Sequence, residues 1–225
     1  MANMDNLSLN QISFQINKTE VKNHDIVFKT ILIGPPSVGK SCLLLRYLND
    51  SFNDKHEVTI GLEFGKVMAK INNKDVKIDI WDTAGTEKFR SVVKTFFKGT
   101  HCIFLVFDIV ETKSLEELNY FLNDIRQNAD LNPNIVLVGN KCDKKNSKSI
   151  QTEEIQKYAE ENNLDLYFEV SAKTSEGVNE LFEQSIKLCF LKHENRRKSE
   201  ILDRKKYEDE MKIRNSPNKG KNCNC

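Results

Sequence analysis

From Phe28 onward, short apolar runs alternate with longer stretches whose apolar positions recur at helical spacing. The runs are Phe28–Ile33, Glu63–Ile71, Val76–Trp81, Cys102–Phe107, Asn134–Gly139 and Leu166–Val170, each short and bounded by polar or turn residues. Helical patterns fall at Lys40–Asn49, Ser114–Asn128, Thr152–Asn162 and Ser175–Leu191; in the second, Leu115, Leu118, Phe121, Leu122 and Ile125 form one face. Ser114 with Glu117 and Thr152 with Glu154 are the expected N-caps. Strands alternating with helices predict a doubly wound α/β domain, with a six-stranded, mostly parallel sheet, helices on both faces and a ligand at the strands' carboxyl ends. Asn72-Asn73-Lys74-Asp75 reads as a hairpin turn, so one strand is expected to run antiparallel.

The ends lack this rhythm. Residues 1–25 are Asn-rich and read as a mostly disordered extension, though Ile12, Phe14 and Ile16 alternate and could add an edge strand. The domain is expected over 26–192, followed by a flexible tail over 193–225. For Arg196–Met211 a prolonged last helix and a disordered spacer both stay open.

Composition narrows the function classes. With 34 Lys+Arg against 33 Asp+Glu in 225 residues, the chain has no bulk basic footprint for nucleic acid. Cys42, Cys102, Cys142 and Cys189 are scattered without C-x-x-C spacing, which favours a reduced, cytosolic setting over zinc or a disulfide framework. No run is long and apolar enough to span a bilayer, and no secretory signal opens the chain. Membrane contact is then expected to need lipid.

Between the first strand and first helix stands Gly34-Pro35-Pro36-Ser37-Val38-Gly39-Lys40-Ser41, which fits G-x-x-x-x-G-K-[ST]. In such a loop successive backbone N–H groups surround a phosphate, and the helix N-terminus adds about half a positive charge. Lys40 is expected on the β- and γ-phosphates and the Ser41 hydroxyl on Mg²⁺. Asp82-Thr83-Ala84-Gly85 follows the third strand, so Asp82 sits at the same sheet edge and can hold Mg²⁺ through water. Gly85, without a side chain, lets its N–H approach a γ-phosphate. Thr59 offers a second hydroxyl for the metal.

Asn140-Lys141-Cys142-Asp143 and Ser171-Ala172-Lys173 each begin where a strand ends. The Asp143 carboxylate can accept from the N1–H and N2–H₂ donors that guanine has and adenine lacks, while Asn140 and the Ala172 N–H face the base's surroundings. N-K-x-D alone is a weak signal. Its conjunction with the phosphate loop, D-T-A-G and S-A-K, in order and each at a strand end, is a strong one.

These residues resemble the Ras superfamily of small GTPases over about Phe28–Leu191. Ile60-Gly61-Leu62-Glu63-Phe64, Lys77-Ile78-Asp79-Ile80-Trp81, Lys88-Phe89-Arg90-Ser91-Val92, Phe96-Phe97-Lys98-Gly99 and Leu105-Val106-Phe107-Asp108-Ile109 are similar to the diagnostic segments of the Rab family. The resemblance implies a membrane-anchored GTP/GDP switch using Mg²⁺ that hydrolyses GTP and recruits effectors for vesicle traffic. It implies nucleotide contacts from Gly34, Ser37, Val38, Gly39, Lys40, Ser41, Cys42, Phe52, Thr59, Gly85, Asn140, Lys141, Asp143, Ser171, Ala172 and Lys173, with Ser41, Thr59 and Asp82 at the metal. Lys40, Gly85 and Thr86 stand at the catalytic positions, and Ile60, Phe64, Trp81 and Phe96 face effectors. The partners implied are an exchange factor, a GTPase-activating protein, a GDP-dissociation inhibitor, the prenylation machinery and effectors. A monomer on the cytoplasmic face of an endomembrane, cycling with cytosol, is expected.

Two departures stand out. Thr86 occupies the place of the family's water-orienting Gln, and Pro36, without an N–H, replaces a small or Gly residue. Both imply slow intrinsic hydrolysis and keep open the alternative of a GTP-bound scaffold. A nucleotide kinase is disfavoured because N-K-x-D has no place there. The tail carries ten Lys/Arg against six Asp/Glu from His193 onward and ends in Cys223-Asn224-Cys225, similar to the family's double geranylgeranylation signal.

Overall fold

β5 (Cys102–Asp108) is buried along its whole length, and a strand covered on both faces has no room for an apolar/polar alternation. Around it the computed structural model, which describes residues 9–17, 23–53, 62–83, 90–147 and 150–214, builds one seven-stranded sheet. In chain order the elements are β1 (Phe14–Asn17), β2 (Ile26–Ile33), α1 (Lys40–Asn49), β3 (Leu62–Ile71), β4 (Lys74–Thr83), α2 (Arg90–Phe96), β5, α3 (Thr112–Glu116), α4 (Leu118–Asn128), β6 (Asn134–Asn140), a 3₁₀ turn (Cys142–Ser147), α5 (Thr152–Glu161), β7 (Leu166–Glu169) and α6 (Val178–Arg214).

The sheet order is β1-β3-β4-β2-β5-β6-β7. β2 pairs in parallel with β4 on one side and β5 on the other, so the winding reverses at β2 and opens a crevice at its carboxyl end. β3 alone runs against the others, joined to β4 by the turn at Asn72 and Asn73, whose φ values of 45° and 65° are the left-handed pair a tight hairpin needs. On one sheet face Ile31, Ile33, Phe97, Ile103, Leu105, Phe107, Leu118, Leu122 and Ile125 form a buried cluster. On the other, Tyr47 of α1 stacks on Phe182 of α6 at 3.9 Å, and Phe104 of β5 meets the same ring at 4.9 Å.

Several expectations are corrected. The sheet has seven strands, not six, because part of the extension folds: β1 pairs with the outer edge of β3 in the register Phe14↔Ile71 to Asn17↔Met68. Leu9 and Ile12 are buried, and Ser13 is clipped to the hairpin turn. Its N–H and hydroxyl both donate to Asn72 Oδ1, at 3.0 and 3.2 Å, and the Asn72 N–H reaches back to Ser13 Oγ at 3.1 Å. The helix expected at Ser114–Asn128 is broken at Glu117. Ser114 is no N-cap; its hydroxyl donates to Asp108 O and Glu111 O inside α3. Thr152 does not cap either: it is the first residue of α5, after the N-cap Gln151, and its hydroxyl donates to Glu169 Oε1 of β7 at 3.2 Å. α2 falls where the apolar spacing predicts no helix.

The chain divides into two compact units, Met1–Cys189 and Phe190–Cys225. Residues 193–214, read as part of a flexible tail, belong to α6. From Val178 to Arg214 no Gly or Pro interrupts a sequence rich in Glu, Lys, Arg and Leu, so helix propensity carries the element where tertiary burial ends. An exposed Arg196–Glu200 pair at 3.3 Å adds i,i+4 support. Among the described residues no helix is long and apolar enough to cross a membrane.

The clip on the extension is testable. Asn72→Gly keeps the left-handed turn but removes the side-chain acceptor, and is expected to cost about 1 kcal/mol. Hydrogen exchange should then quicken at residues 14–17 and leave β5 unchanged.

Candidate nucleotide-binding site

The crevice is floored by the loop between β2 and α1. Gly34 has φ +146°, and an added Cβ would lie 2.1 Å from the Val106 carbonyl of β5, so only glycine lets the loop leave the sheet this closely. Ser37 and Gly39 both have positive φ, 63° and 94°, which turns the backbone back into α1. Lys40 is buried, and its Nζ folds over the loop to donate to Gly34 O (2.9 Å) and Pro35 O (2.7 Å). The ammonium is therefore held inside the hollow that a phosphate would enter.

Ser41, in the first turn of α1, donates its hydroxyl to Asp82 Oδ2 at the end of β4. Both side chains are buried. Two hard oxygen donors meeting beside a phosphate loop fit Mg²⁺, which takes few protein ligands and completes its shell with phosphate and water. Thr83 next to Asp82 ties back to β2 by donating to Leu32 O at 2.9 Å. Asp82 is thus fixed between β2 and α1.

Asn140, at the end of β6 and 1% exposed, joins three loops. Its amide donates to Val38 O of the phosphate loop at 2.8 Å, and its Oδ1 accepts the Ala172 N–H at 3.1 Å. An added Cβ at Gly39 would come within 2.4 Å of that amide, so the second loop glycine makes room for Asn140. Lys141, with φ 70°, sends Nζ to Ser37 O (2.9 Å) and pairs with Asp108 Oδ2 (2.6 Å). Asp143 is exposed at the crevice edge, and its Oδ1 accepts the Ser171 hydroxyl at 2.6 Å. Ser171 Oγ in turn accepts the Thr174 N–H at 3.1 Å.

The structure thus brings together Gly34, Ser37, Val38, Gly39, Lys40, Ser41, Asp82, Asn140, Lys141, Asp143, Ser171 and Ala172. Cys42 lies half-buried on α1, Lys173 is exposed after Ala172, and Phe52 is half-buried in the irregular segment after α1. Phe64, Trp81 and Phe96 form a row with ring centroids 4.8 and 5.0 Å apart. Thr59, Ile60, Gly85, Thr86, Cys223 and Cys225 lie outside the described residues.

Two residues that sequence reading assigned no role complete the frame. Arg46 of α1 donates Nε to Ala172 O (2.8 Å) and a guanidinium N–H to Lys173 O (2.9 Å), tying the third loop to the phosphate-loop helix. Asp108 holds Lys141. Its place at the end of an apolar strand was a signal; for Arg46 the only hint was its position one turn beyond Ser41.

Fold and site define a phosphate-binding-loop protein of the doubly wound α/β class. Residues 29–190 match the Ras family model. The chain is 40% identical over 179 residues to the Ras-related protein Rab-2B of Dictyostelium discoideum, covering 80% of this chain and 88% of the relative. It is 38% identical over 176 residues to Rab-13 of Canis lupus familiaris and of Bos taurus, covering 78% and 86%. The chain belongs to the Ras family, as a small GTPase of the Rab type. Proteins of this family bind guanine nucleotides and Mg²⁺.

Two measurements probe the site. Asn140→Ala strands a buried carbonyl and a buried N–H, and is expected to cost about 2–4 kcal/mol of stability in the nucleotide-free protein, read by denaturant unfolding. Burial pulls Lys40 down to about 8 from the ordinary lysine value of 10.5, against the opposing pull of Asp82. Between those values the unfolded chain holds the proton and the folded chain does not, so stability rises with pH across that window. Phosphate charge favours the protonated ammonium, so nucleotide binding above pH 8 is expected to take up a proton. Calorimetry in two buffers of different ionisation enthalpy measures this, and absence of uptake at about pH 9 refutes it.

Proposed function

We propose that this protein is a GTP-hydrolysing switch that recruits effectors to a cytoplasmic membrane face during vesicle traffic, and that its intrinsic hydrolysis is slow. The observation that carries the reading is Asn140, because one buried amide binds the phosphate loop to the two loops suited to a guanine base. A protein that gripped phosphate alone would have no use for that connection.

In this reading Lys40 neutralises the β- and γ-phosphates, the loop's backbone N–H groups surround them, and Asp143 selects guanine while Ser171 orients its carboxylate. Phe52, Lys141, Ala172 and Lys173 enclose the base, with Cys42 beside the phosphates. Ser41 and Asp82, with Thr59, would hold Mg²⁺, which when bound supplies positive charge to the phosphate oxygens. Gly85 would touch the γ-phosphate, and loss of that contact and of Thr59's would let both loops relax. Partners then read Ile60, Phe64, Trp81 and Phe96. Exchange factor, GTPase-activating protein and GDP-dissociation inhibitor set the cycle, and lipid on Cys223 and Cys225 supplies stable anchoring through two chains.

Slow hydrolysis follows from two side chains. Thr86 is too short to orient the attacking water as the usual Gln does. Pro36, exposed at the tip of the phosphate loop, contributes no N–H there. Those substitutions favour a second reading, a GTP-loaded scaffold that turns over only with help in trans.

Single-turnover GTP hydrolysis with Mg²⁺, beside a Thr86→Gln variant loaded to the same extent, separates the two readings from a normally active enzyme. The variant is expected to be faster by roughly tenfold. Equal rates would remove the basis for slow hydrolysis.

A further inference from the structure

The aromatic row Phe64–Trp81–Phe96 is held at one end by a cation that no motif drew attention to. Lys29 lies on β2 two residues before Ile31, which registers with Trp81 on β4, so Lys29 shares the sheet face that carries the row. Its Nζ sits over the Phe96 ring, 5.3 Å from the centroid. The same ammonium donates to the Lys98 carbonyl at 2.8 Å, just beyond the end of α2. Its backbone is fixed from the other side by His101, whose N–H donates to Lys29 O (2.8 Å) and whose Nδ1 accepts the Lys29 N–H (3.2 Å).

We infer that Lys29 is a positioning residue for the partner-facing surface: its ammonium holds the Phe96 ring against Trp81 and so sets the geometry of the aromatic row. The inference rests on the proposed reading of that row as a recognition surface. Its physical content is independent of that reading. Phe64 is 51% exposed, and Trp81 and Phe96 are half-buried where they pack against the core, so the row is a partly wet surface. A cation over a ring within about 6 Å is attracted to the ring's negative face, and the attraction grows as water is excluded. Lys29 is half-buried, and this partial burial pulls its ammonium below the ordinary lysine range while the Asp130 carboxylate opposes the fall. Asp130 Oδ1 also accepts the Gly99 N–H at 2.8 Å, which fixes the turn that presents the Lys98 carbonyl.

The arrangement gives the recognition surface a mechanical link to the nucleotide site. Lys29 is on the strand that ends in the phosphate loop, Trp81 directly precedes Asp82, and Phe96 closes the helix that follows the Asp82-Thr83-Ala84-Gly85 segment. The contact between Lys29 and Phe96 therefore joins the first of these elements to the last.

Trp81 is the chain's one tryptophan, so its emission reports on the row alone when it is excited selectively over tyrosine. In the full chain, Lys29→Met keeps the aliphatic stem and removes the charge. It is expected to shift the Trp81 spectrum and to raise acrylamide quenching, by an amount corresponding to an about two- to fivefold loss in the ratio of stacked to unstacked Phe96. Lys29→Arg should restore the wild-type signal, because a guanidinium also stacks on aromatic faces and can donate to the Lys98 carbonyl. An unchanged Trp81 signal in Lys29→Met overturns the inference, and so does a changed signal that Arg fails to rescue, which would mark Lys29 as packing only. If Lys29→Met does not fold by circular dichroism, Lys29→Gln, which keeps a donor for Lys98 O, is read by the same criteria. Guanine-nucleotide binding and effector capture, measured on the same proteins, test the switch reading separately, so loss of either leaves the optical result to stand or fall alone.

Discussion

The amide of Asn140 is the contact on which the nucleotide site depends. It is buried, so each of its hydrogen bonds is made without competition from water, and each partner it would abandon is a buried backbone group. Because one bond goes to Val38 and the other to Ala172, the three loops cannot move independently. Arg46 repeats the connection at the rim, from α1 to the carbonyls of Ala172 and Lys173. The two glycines of the phosphate loop follow from the same constraint. Gly34 lies against the backbone of β5, and Gly39 leaves space for the Asn140 amide.

The parallel strands explain why these loops meet. Each loop begins at a strand's carboxyl end, and the pairing of β2 with both β4 and β5 puts the winding reversal beside the phosphate loop. Ser41 and Asp82 lie forty-one residues apart, yet the parallel register that aligns Leu32 with Asp82 brings the carboxylate to the first turn of α1. The same register aligns Ile31 with Trp81, so the proposed metal residue Asp82 and the proposed partner-facing residue Trp81 are neighbours on a single strand. Whatever shifts β4 is felt on both of its faces.

Two elements owe little to the nucleotide. β1 covers the lower part of the β3 edge, pairing backbone groups that would otherwise offer themselves to another chain. It falls outside the residues that match the family model and is held by Leu9, Ile12 and the Ser13–Asn72 clip. The distal part of α6 has no large apolar face, and the uninterrupted run of strong helix formers accounts for its persistence.

What the sequence determined by itself was local or already gathered by a motif. Apolar periodicity located six strands and the helix at Lys40–Asn49, and the Asn-Asn turn fixed the hairpin, because side-chain sterics within a few residues decide these. The phosphate loop, the Asp of D-T-A-G, N-K-x-D and S-A-K pointed to residues that line the crevice, since each motif's chemistry resides in its own spacing. Tertiary structure alone decided the rest. The weak alternation at Ile12, Phe14 and Ile16 became a strand only because the β3 edge was open to pair it. Ser114 and Thr152 are not caps because the folded chain starts α3 at Thr112 and α5 at Thr152, which leaves the N-cap positions to Glu111 and Gln151. Arg46, Asp108 and Lys29 gained roles from partners 33 to 127 residues away, distances at which no local pattern carries information and only the packing of the sheet brings charge to carbonyl, carboxylate and ring.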